Sequence, residues 1–288
     1  MAVNLTVAVL LAEGVRQLTD LPAGGEPGAN PALDAQLLLA HVLGVARTRL
    51  KSHPEALADP RRAQQYRELL GRRAGGEPVA YLTGWRDFWS LRLTISPAVL
   101  VPRPESELLV ERALALHAAD VARVVDLGTG CGALALALAS ERPRWRITAT
   151  DVSAQALEVA RANARQLGLA LEVRQGSWFE PLAGERFDLI LSNPPYVAAG
   201  DAVMARGPLV HEPRIALTPG ADALESLRIL ARGAAQYLSR AGWLLLEHGA
   251  AQGAQVRNEL VLAGFAHVRS HRDLAGYERM TEGQYDQI

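Results

Sequence analysis

The sequence predicts an α/β protein: a doubly wound, mostly parallel sheet, preceded by a small helical domain and joined to it by a β-hairpin. Three observations carry this. The first 80 or so residues repeat apolar positions at helical spacing, separated by Gly- and Pro-rich loops such as LPAGGEPGANP. The stretch WSLRLTISPAVLVP then alternates Leu91, Leu93 and Ile95 with Arg92 and Thr94, the period of two that marks a strand. From Glu105 onward helical and strand patterns alternate, which builds a sheet with helices on both faces.

The elements follow in order. Leu5 to Leu18 reads as a first helix. Asn30-Pro31 opens a second, with Asn as cap and Pro at the first helical position, and Gly44 closes it. Asp59-Pro60 repeats the cap before RRAQQYRELLGRR. After the hairpin, ESELLVERALALH, GALALALAS, SAQALEVARANARQLG, DALESLRILARGAAQYLSR and AAQGAQVRNELVLAG read as helices. RVVDLG, WRITATD, LEVRQG, FDLILS and GWLLLEHG read as strands between them. FAHVRSH and ERMTEGQ are two final strands with no helix between, so one pairs antiparallel. The boundaries are residues 1–80 for the helical domain, 81–104 for the hairpin linker and 105–288 for the sheet domain.

Composition narrows the function classes. Of 288 residues, 49% are hydrophobic and 21% charged, which suits a globular core and excludes a disordered chain. A net charge of −1 argues against a protein that grips a nucleic-acid backbone along its length. Residues 1–86 carry 10 Lys/Arg against 8 Asp/Glu, too even for a basic groove. The single cysteine, Cys131, excludes an internal disulfide and a cysteine zinc cluster, and suits a reducing, cytoplasmic setting. The histidines show no metal-ligand spacing, and no metal is expected. No run of 18 apolar residues occurs, and the apolar N-terminal stretch lacks the leading positive charge of a secretory signal, so no membrane association is expected.

Two motifs carry the chemistry. In Val124-Val125-Asp126-Leu127-Gly128-Thr129-Gly130-Cys131-Gly132 a buried strand runs into a glycine-rich turn and then a helix. Asp151 follows Gly132 by 19 residues, at the end of the next strand, where a carboxylate accepts both hydroxyls of a ribose. This stretch alone leaves a dinucleotide and S-adenosylmethionine both open, because Gly128-x-Gly130-x-x-Ala133 also fits the dinucleotide fingerprint. Asp126 suits an ammonium group or the capping of its own loop. Cys131 reads as a small buried filler rather than a nucleophile.

The second motif, Asn193-Pro194-Pro195-Tyr196, follows the strand FDLILS. Two prolines fix φ and make a rigid elbow without backbone donors. An NH₂ group offers two donors, which the Asn193 side-chain oxygen and the Pro194 carbonyl accept, while Tyr196 lies against the planar group. This is a clamp for a planar nitrogen.

The order of DLGTGCGALALALA, Asp151, SWFEPL and SNPPYV resembles S-adenosylmethionine methyltransferases that act on amino groups. With Gly84-Trp85-Arg86-Asp87-Phe88-Trp89, Val101-Pro102-Arg103-Pro104-Glu105-Ser106-Glu107, Glu212-Pro213-Arg214-Ile215-Ala216-Leu217 and Asp273-Leu274-Ala275-Gly276, the chain is similar nearly end to end to the release-factor glutamine N5-methyltransferases of the HemK type. The resemblance implies a Rossmann-like class I methyltransferase sheet. It implies methyl transfer from S-adenosyl-L-methionine to the glutamine of the Gly-Gly-Gln motif in peptide chain release factors, and a substrate-recognition role for residues 1–80. By motif, Gly128, Thr129, Gly130, Cys131 and Gly132 would line the methionine part of the cofactor, Asp151 would hold the ribose, and Trp178 would stack near the adenine. Asn193 would border cofactor and substrate, and Asn193, Pro194, Pro195 and Tyr196 would hold the glutamine. Asn193, Pro194 and Tyr196 are the expected catalytic residues. The chain departs from the pattern at Cys131, Ser106 (often threonine), His211 (often aromatic) and Tyr277 (often arginine). The rival readings are methylation of a ribosomal-protein glutamine, and adenine N6 methylation, which uses the same clamp on a flipped base.

Overall fold

The computed structural model describes residues 5–19 and 30–286 of the 288-residue chain. Up to residue 29, the loop expected before the second helix lies outside the described residues. By its internal contacts the chain divides into two compact units, residues 1–85 with 202–211, and residues 86–201 with 212–288.

The smaller unit is helical. Helices α1 (Val7–Thr19), α2 (Pro31–Leu43), α3 (Arg47–Ser52), α4 (Pro60–Ala74) and α5 (Val79–Thr83) enclose a core that includes Leu10, Leu38, Leu39, Tyr66 and Leu70. The caps form as the sequence dictates. Asn30 Oδ1 accepts from Leu33 N at 3.0 Å, Gly44 closes α2 at φ 66°, and Asp59 Oδ1 accepts from Arg61 N at 2.8 Å. Gly14 sits where α1 passes Tyr66: a Cβ there would lie 2.0 Å from the Tyr66 hydroxyl oxygen, so the close approach needs glycine. The short helices α3 and α5 carry too few turns for periodicity to reveal them.

The larger unit opens with the hairpin β1 (Trp85–Phe88) and β2 (Leu91–Thr94), followed by α6 (Glu107–Leu116). Trp89 takes a left-handed φ of 55° at the two-residue turn, and its N–H donates to Glu107 Oε1 at 2.7 Å. Glu107 therefore braces the hairpin turn. Alternation then continues through β3 (Arg123–Leu127), α7 (Ala133–Glu141), β4 (Arg146–Asp151), α8 (Ala154–Leu167), β5 (Glu172–Gln175) and β6 (Phe187–Ser192). The chain ends with α9 (Arg214–Leu217), α10 (Glu225–Ala234), β7 (Leu238–Glu247), α11 (Gly253–Leu262), β8 (Ala266–Arg272) and β9 (Glu278–Tyr285). The seven strands are ordered β5-β4-β3-β6-β7-β9-β8. Neighbours from β5 to β7 pair parallel, and β9 runs antiparallel between β7 and β8, as the paired last strands require. No helix among the described residues is long and apolar enough to cross a membrane.

One expected boundary is corrected. The helix read through to Arg240 stops at Ala234, and Leu238, Ser239 and Arg240 already belong to β7. Tertiary pairing overrides the helical pattern here. Phe187 N donates to Tyr237 O at 2.8 Å, Leu238 pairs in register with Phe187, and Tyr237 stacks on Phe179 with ring centroids 4.7 Å apart. The sheet interior, including Val125, Leu127, Ile190, Leu244 and Leu246, packs on Leu227 and Leu230 of α10 and Val256 and Leu260 of α11.

Candidate active site

Strand order reverses between β3 and β6, and in open α/β sheets ligands bind at the carboxyl ends of the strands beside such a switch point. The two motifs emerge there side by side. Val124, Val125 and Asp126 pair in register with Leu189, Ile190 and Leu191, and Ser192 Oγ donates to Leu127 O at 2.7 Å.

The first loop is held open by backbone geometry. Gly128, Gly130 and Gly132 all take positive φ, at 74°, 56° and 86°, which favours glycine at each position. The N–H groups of Gly128 and Thr129 both donate to Thr150 O at 2.9 Å, tying the turn to the end of β4. Asp151 lies beside it. Its Oδ2 accepts from Gly130 N and its Oδ1 from Ser153 N, both at 2.9 Å. Burial raises the Asp151 pKa from its ordinary value, against the pull of these backbone donors. Each oxygen keeps a lone pair for a hydroxyl.

Asp126 is 1% exposed, accepts from Thr129 Oγ1 at 2.6 Å through Oδ2, and has no hydrogen-bond partner at Oδ1. Burial pushes its pKa up to about 7. Trp178 is half-buried at a left-handed φ of 47°, with a ring carbon 3.6 Å from where a Gly128 Cβ would stand. An open glycine turn, a carboxylate with spare acceptor capacity, a buried carboxyl with an unused oxygen and an aromatic face together fit an adenosyl cofactor with a charged amino-acid tail.

Cys131 is 3% exposed, and burial pushes its thiol up to about 12, so no thiolate nucleophile exists near neutral pH. Its carbonyl accepts from Asn163 Nδ2 at 2.9 Å, and the same side chain brackets Thr94 of the hairpin.

In the second motif, Pro194 is buried, while Asn193, Pro195 and Tyr196 are half-buried. Gln252 Nε2 donates to Tyr196 O at 3.0 Å and fixes the far end of the elbow. Asn193 Nδ2 donates to Ser106 Oγ at 3.1 Å. Ser106 Oγ donates to Glu247 Oε2 at 2.6 Å, and the Tyr196 hydroxyl donates to Glu247 Oε1 at 3.2 Å. Glu247 is 2% exposed, and burial pushes its pKa up to about 7. Burial, with Glu247 beside it, drives the Tyr196 hydroxyl far above its ordinary value. Glu247 was not singled out from the sequence. The available signal was a lone acid closing the apolar run WLLLEHG.

Arg103 pairs with buried Glu212 at 2.8 Å. His211 Nε2 lies 3.1 Å from Gly75 O. Tyr277 is exposed after the β8–β9 turn, where Arg279 lies over its ring at 5.8 Å. Among the described residues no group of three His, Cys, Asp or Glu side chains is placed to hold a metal ion.

The buried carboxyls give a pH signature. Asp126 and Glu247 bind a proton more tightly folded than unfolded, so ionising them costs stability. His248 has its pKa lowered by burial, so it adds stability with rising pH, but only up to its unfolded value of 6.5. Between about pH 6.5 and 7.5 the two carboxyls dominate. The ligand-free protein is therefore expected to lose thermal stability across that interval, and Asp126→Asn to flatten the loss. Melting curves at fixed ionic strength test it; a flat or rising wild-type profile would contradict the assignment.

Comparison with known proteins identifies the family and the fold. Residues 104–251 match the methyltransferase small domain family, and residues 10–84 match the PrmC N-terminal domain family. A release factor glutamine methyltransferase of Pseudomonas aeruginosa is 46% identical over 281 residues, covering 97% of this chain and 99% of the relative. One from Salmonella typhimurium is 43% identical over 276 residues, covering 96% and 97%. Among solved structures, a methyltransferase from Pyrococcus furiosus superposes with a TM-score of 0.53 at 19% identity, over 76% of this chain and 98% of its own. The hMettl16 catalytic domain, solved in complex with a MAT2A 3'UTR hairpin, gives 0.57 at 18% identity over 76% and 80%. At such identities these structures establish the methyltransferase fold alone.

Proposed function

The chain belongs to the release factor glutamine methyltransferase family, and on that premise we propose that it transfers a methyl group from S-adenosyl-L-methionine to the side-chain amide nitrogen, N5, of the glutamine in the Gly-Gly-Gln motif of peptide chain release factors. The observation that carries this reading is the adjacency, at the ends of β3 and β6, of the glycine loop with Asp151 and the Asn193-Pro194-Pro195-Tyr196 elbow.

S-adenosyl-L-methionine supplies an electrophilic methyl group. Gly128, Thr129, Gly130, Cys131 and Gly132 would line its methionine part, Asp151 would accept from the ribose hydroxyls, and Trp178 would stack near the adenine. Asn193 Oδ1 and Pro194 O accept the two N–H bonds of the substrate amide, and Tyr196 covers its plane, with Pro195 stiffening the elbow. A primary amide is a poor nucleophile because its lone pair is delocalised. Drawing both protons toward oxygen acceptors raises electron density on nitrogen, and fixed orientation removes much of the entropic barrier. As the N–C bond forms the S–C bond breaks and S-adenosylhomocysteine leaves as a neutral thioether. The methylated cationic nitrogen is strongly acidic and gives its extra proton to water, so no side chain is needed as a dedicated base.

Residues 1–80 act as the substrate-recognition domain, 81–104 as a linker and 105–288 as the catalytic domain, in a cytoplasmic protein whose partners are proteins rather than nucleic acid or membrane. Transfer of labelled methyl to purified release factor, ribosomal proteins and duplex DNA, side by side, tests the substrate. Release factor is expected to be labelled at the Gly-Gly-Gln glutamine. Preferential labelling of a ribosomal protein or of adenine would overturn the proposal.

A further inference from the structure

We infer that Glu247 is a positioning residue that sets the direction of the clamp, acting on Asn193 through Ser106 and on Tyr196 directly. The inference rests on the proposed reading of Asn193 and Tyr196 as the side chains that hold the substrate amide.

Ser192 and Leu246 pair in register on neighbouring parallel strands, so Asn193, just past the end of β6, comes beside Glu247, the last residue of β7. Glu247 Oε2 accepts from Ser106 Oγ at 2.6 Å. A serine hydroxyl has one proton, and beside the ionised Glu247 carboxylate Ser106 spends it there. Toward Asn193 the same oxygen is only an acceptor, so Asn193 must present its NH₂ group, at 3.1 Å. The Asn193 amide is thereby turned one way, with Nδ2 against the protein and Oδ1 left as the acceptor for a substrate N–H. Without a committed acceptor behind Ser106, its hydroxyl is free to donate, and the amide is equally well satisfied flipped. A flipped Asn193 offers N–H groups to a substrate that is itself a donor.

The second carboxylate oxygen does the same for the aromatic wall. Oε1 accepts from the Tyr196 hydroxyl at 3.2 Å, while Gln252 holds the Tyr196 carbonyl. One buried carboxylate thus anchors both substrate-facing side chains. A carboxylate suits the task because both its oxygens accept. Glutamine, its isostere, would place an NH₂ against one of the two hydroxyls and break the pattern.

The test is a set of variants read by single-turnover methylation of Gly-Gly-Gln release factor, with S-adenosylmethionine affinity measured by calorimetry. Glu247→Gln and Ser106→Ala are each expected to lower the rate about 10- to 100-fold, the scale for misplacing a reacting group, with cofactor affinity unchanged. Ser106→Thr keeps the hydroxyl and should restore the rate. The Ser106→Ala/Glu247→Gln double variant should be no slower than the slower single variant, because both break one chain of bonds. If Asn193→Ala is slow while Glu247→Gln and Ser106→Ala both turn over at the wild-type rate, the positioning role is wrong and the clamp stands. If Asn193→Ala is itself fast, the clamp reading fails and takes this inference with it. Cofactor affinity lost in parallel with rate would show Glu247 to be merely structural and would also overturn the inference.

Discussion

Asn193→Ala is expected to lose at least about 100-fold in single-turnover rate, the scale for removing one positioned polar group at a developing charge, while S-adenosylmethionine affinity stays at its wild-type value. The side-chain oxygen accepts from the substrate amide, and that bond strengthens as positive charge builds on nitrogen. The loss therefore appears in turnover rather than in cofactor binding. Asn193→Asp is not a mild substitute in this environment. It removes the NH₂ that donates to Ser106 Oγ, so two lone pairs face each other, and it sets a second carboxylate near buried Glu247. Asp is expected to be no faster than Ala. Tyr196→Phe should be slowed less than Tyr196→Ala, since the ring covers the amide and the hydroxyl only anchors it to Glu247. Wild-type turnover in Asn193→Ala would falsify the clamp and reopen the choice of substrate.

Much of this arrangement is legible in the sequence because it is local. The caps at Asn30 and Asp59, the αL closure at Gly44 and the three positive-φ glycines of the first loop depend on residues within one turn of each other. The parallel strands β3, β4 and β6 read directly as short buried runs. What escaped is what the chain assembles from a distance. Ser106 reaches Asn193 across 87 positions and Glu247 across 141. Glu247 in LLLEHG looks like the ordinary end of a buried strand until β7 is known to lie beside β6. The early start of β7 was hidden for a similar reason. Helical periodicity runs on past Ala234, and only the pairing of Leu238 with Phe187, with Tyr237 seated on Phe179, turns the chain into the sheet. Glu107, readable as a favourable charge at a helix start, instead accepts from the backbone of Trp89 in a hairpin 18 residues upstream.

Asp151→Ala is expected to weaken S-adenosylmethionine binding by about 1.5–3 kcal/mol, the range for hydrogen bonds to a charged group. The structure gives this residue two tasks. Its outward lone pairs are the ribose acceptors, and its other lone pairs already hold Gly130 N and Ser153 N. Alanine removes both, so part of the lost affinity comes from a glycine turn no longer pinned next to β4. Asparagine separates the two tasks. It keeps the volume and one oxygen, but its NH₂ must face either Gly130 N–H or Ser153 N–H, donor against donor. Asn is therefore expected to bind the cofactor no better than Ala, despite being the closer isostere. Glutamate, one methylene longer, keeps the charge but moves it off both backbone donors, and is expected to lose affinity as well. Calorimetric titration of all three variants checks this. An Asp151→Asn protein with wild-type affinity would remove Asp151 from the cofactor site, and tight binding of a nicotinamide dinucleotide with none of S-adenosylmethionine would reassign the glycine loop altogether.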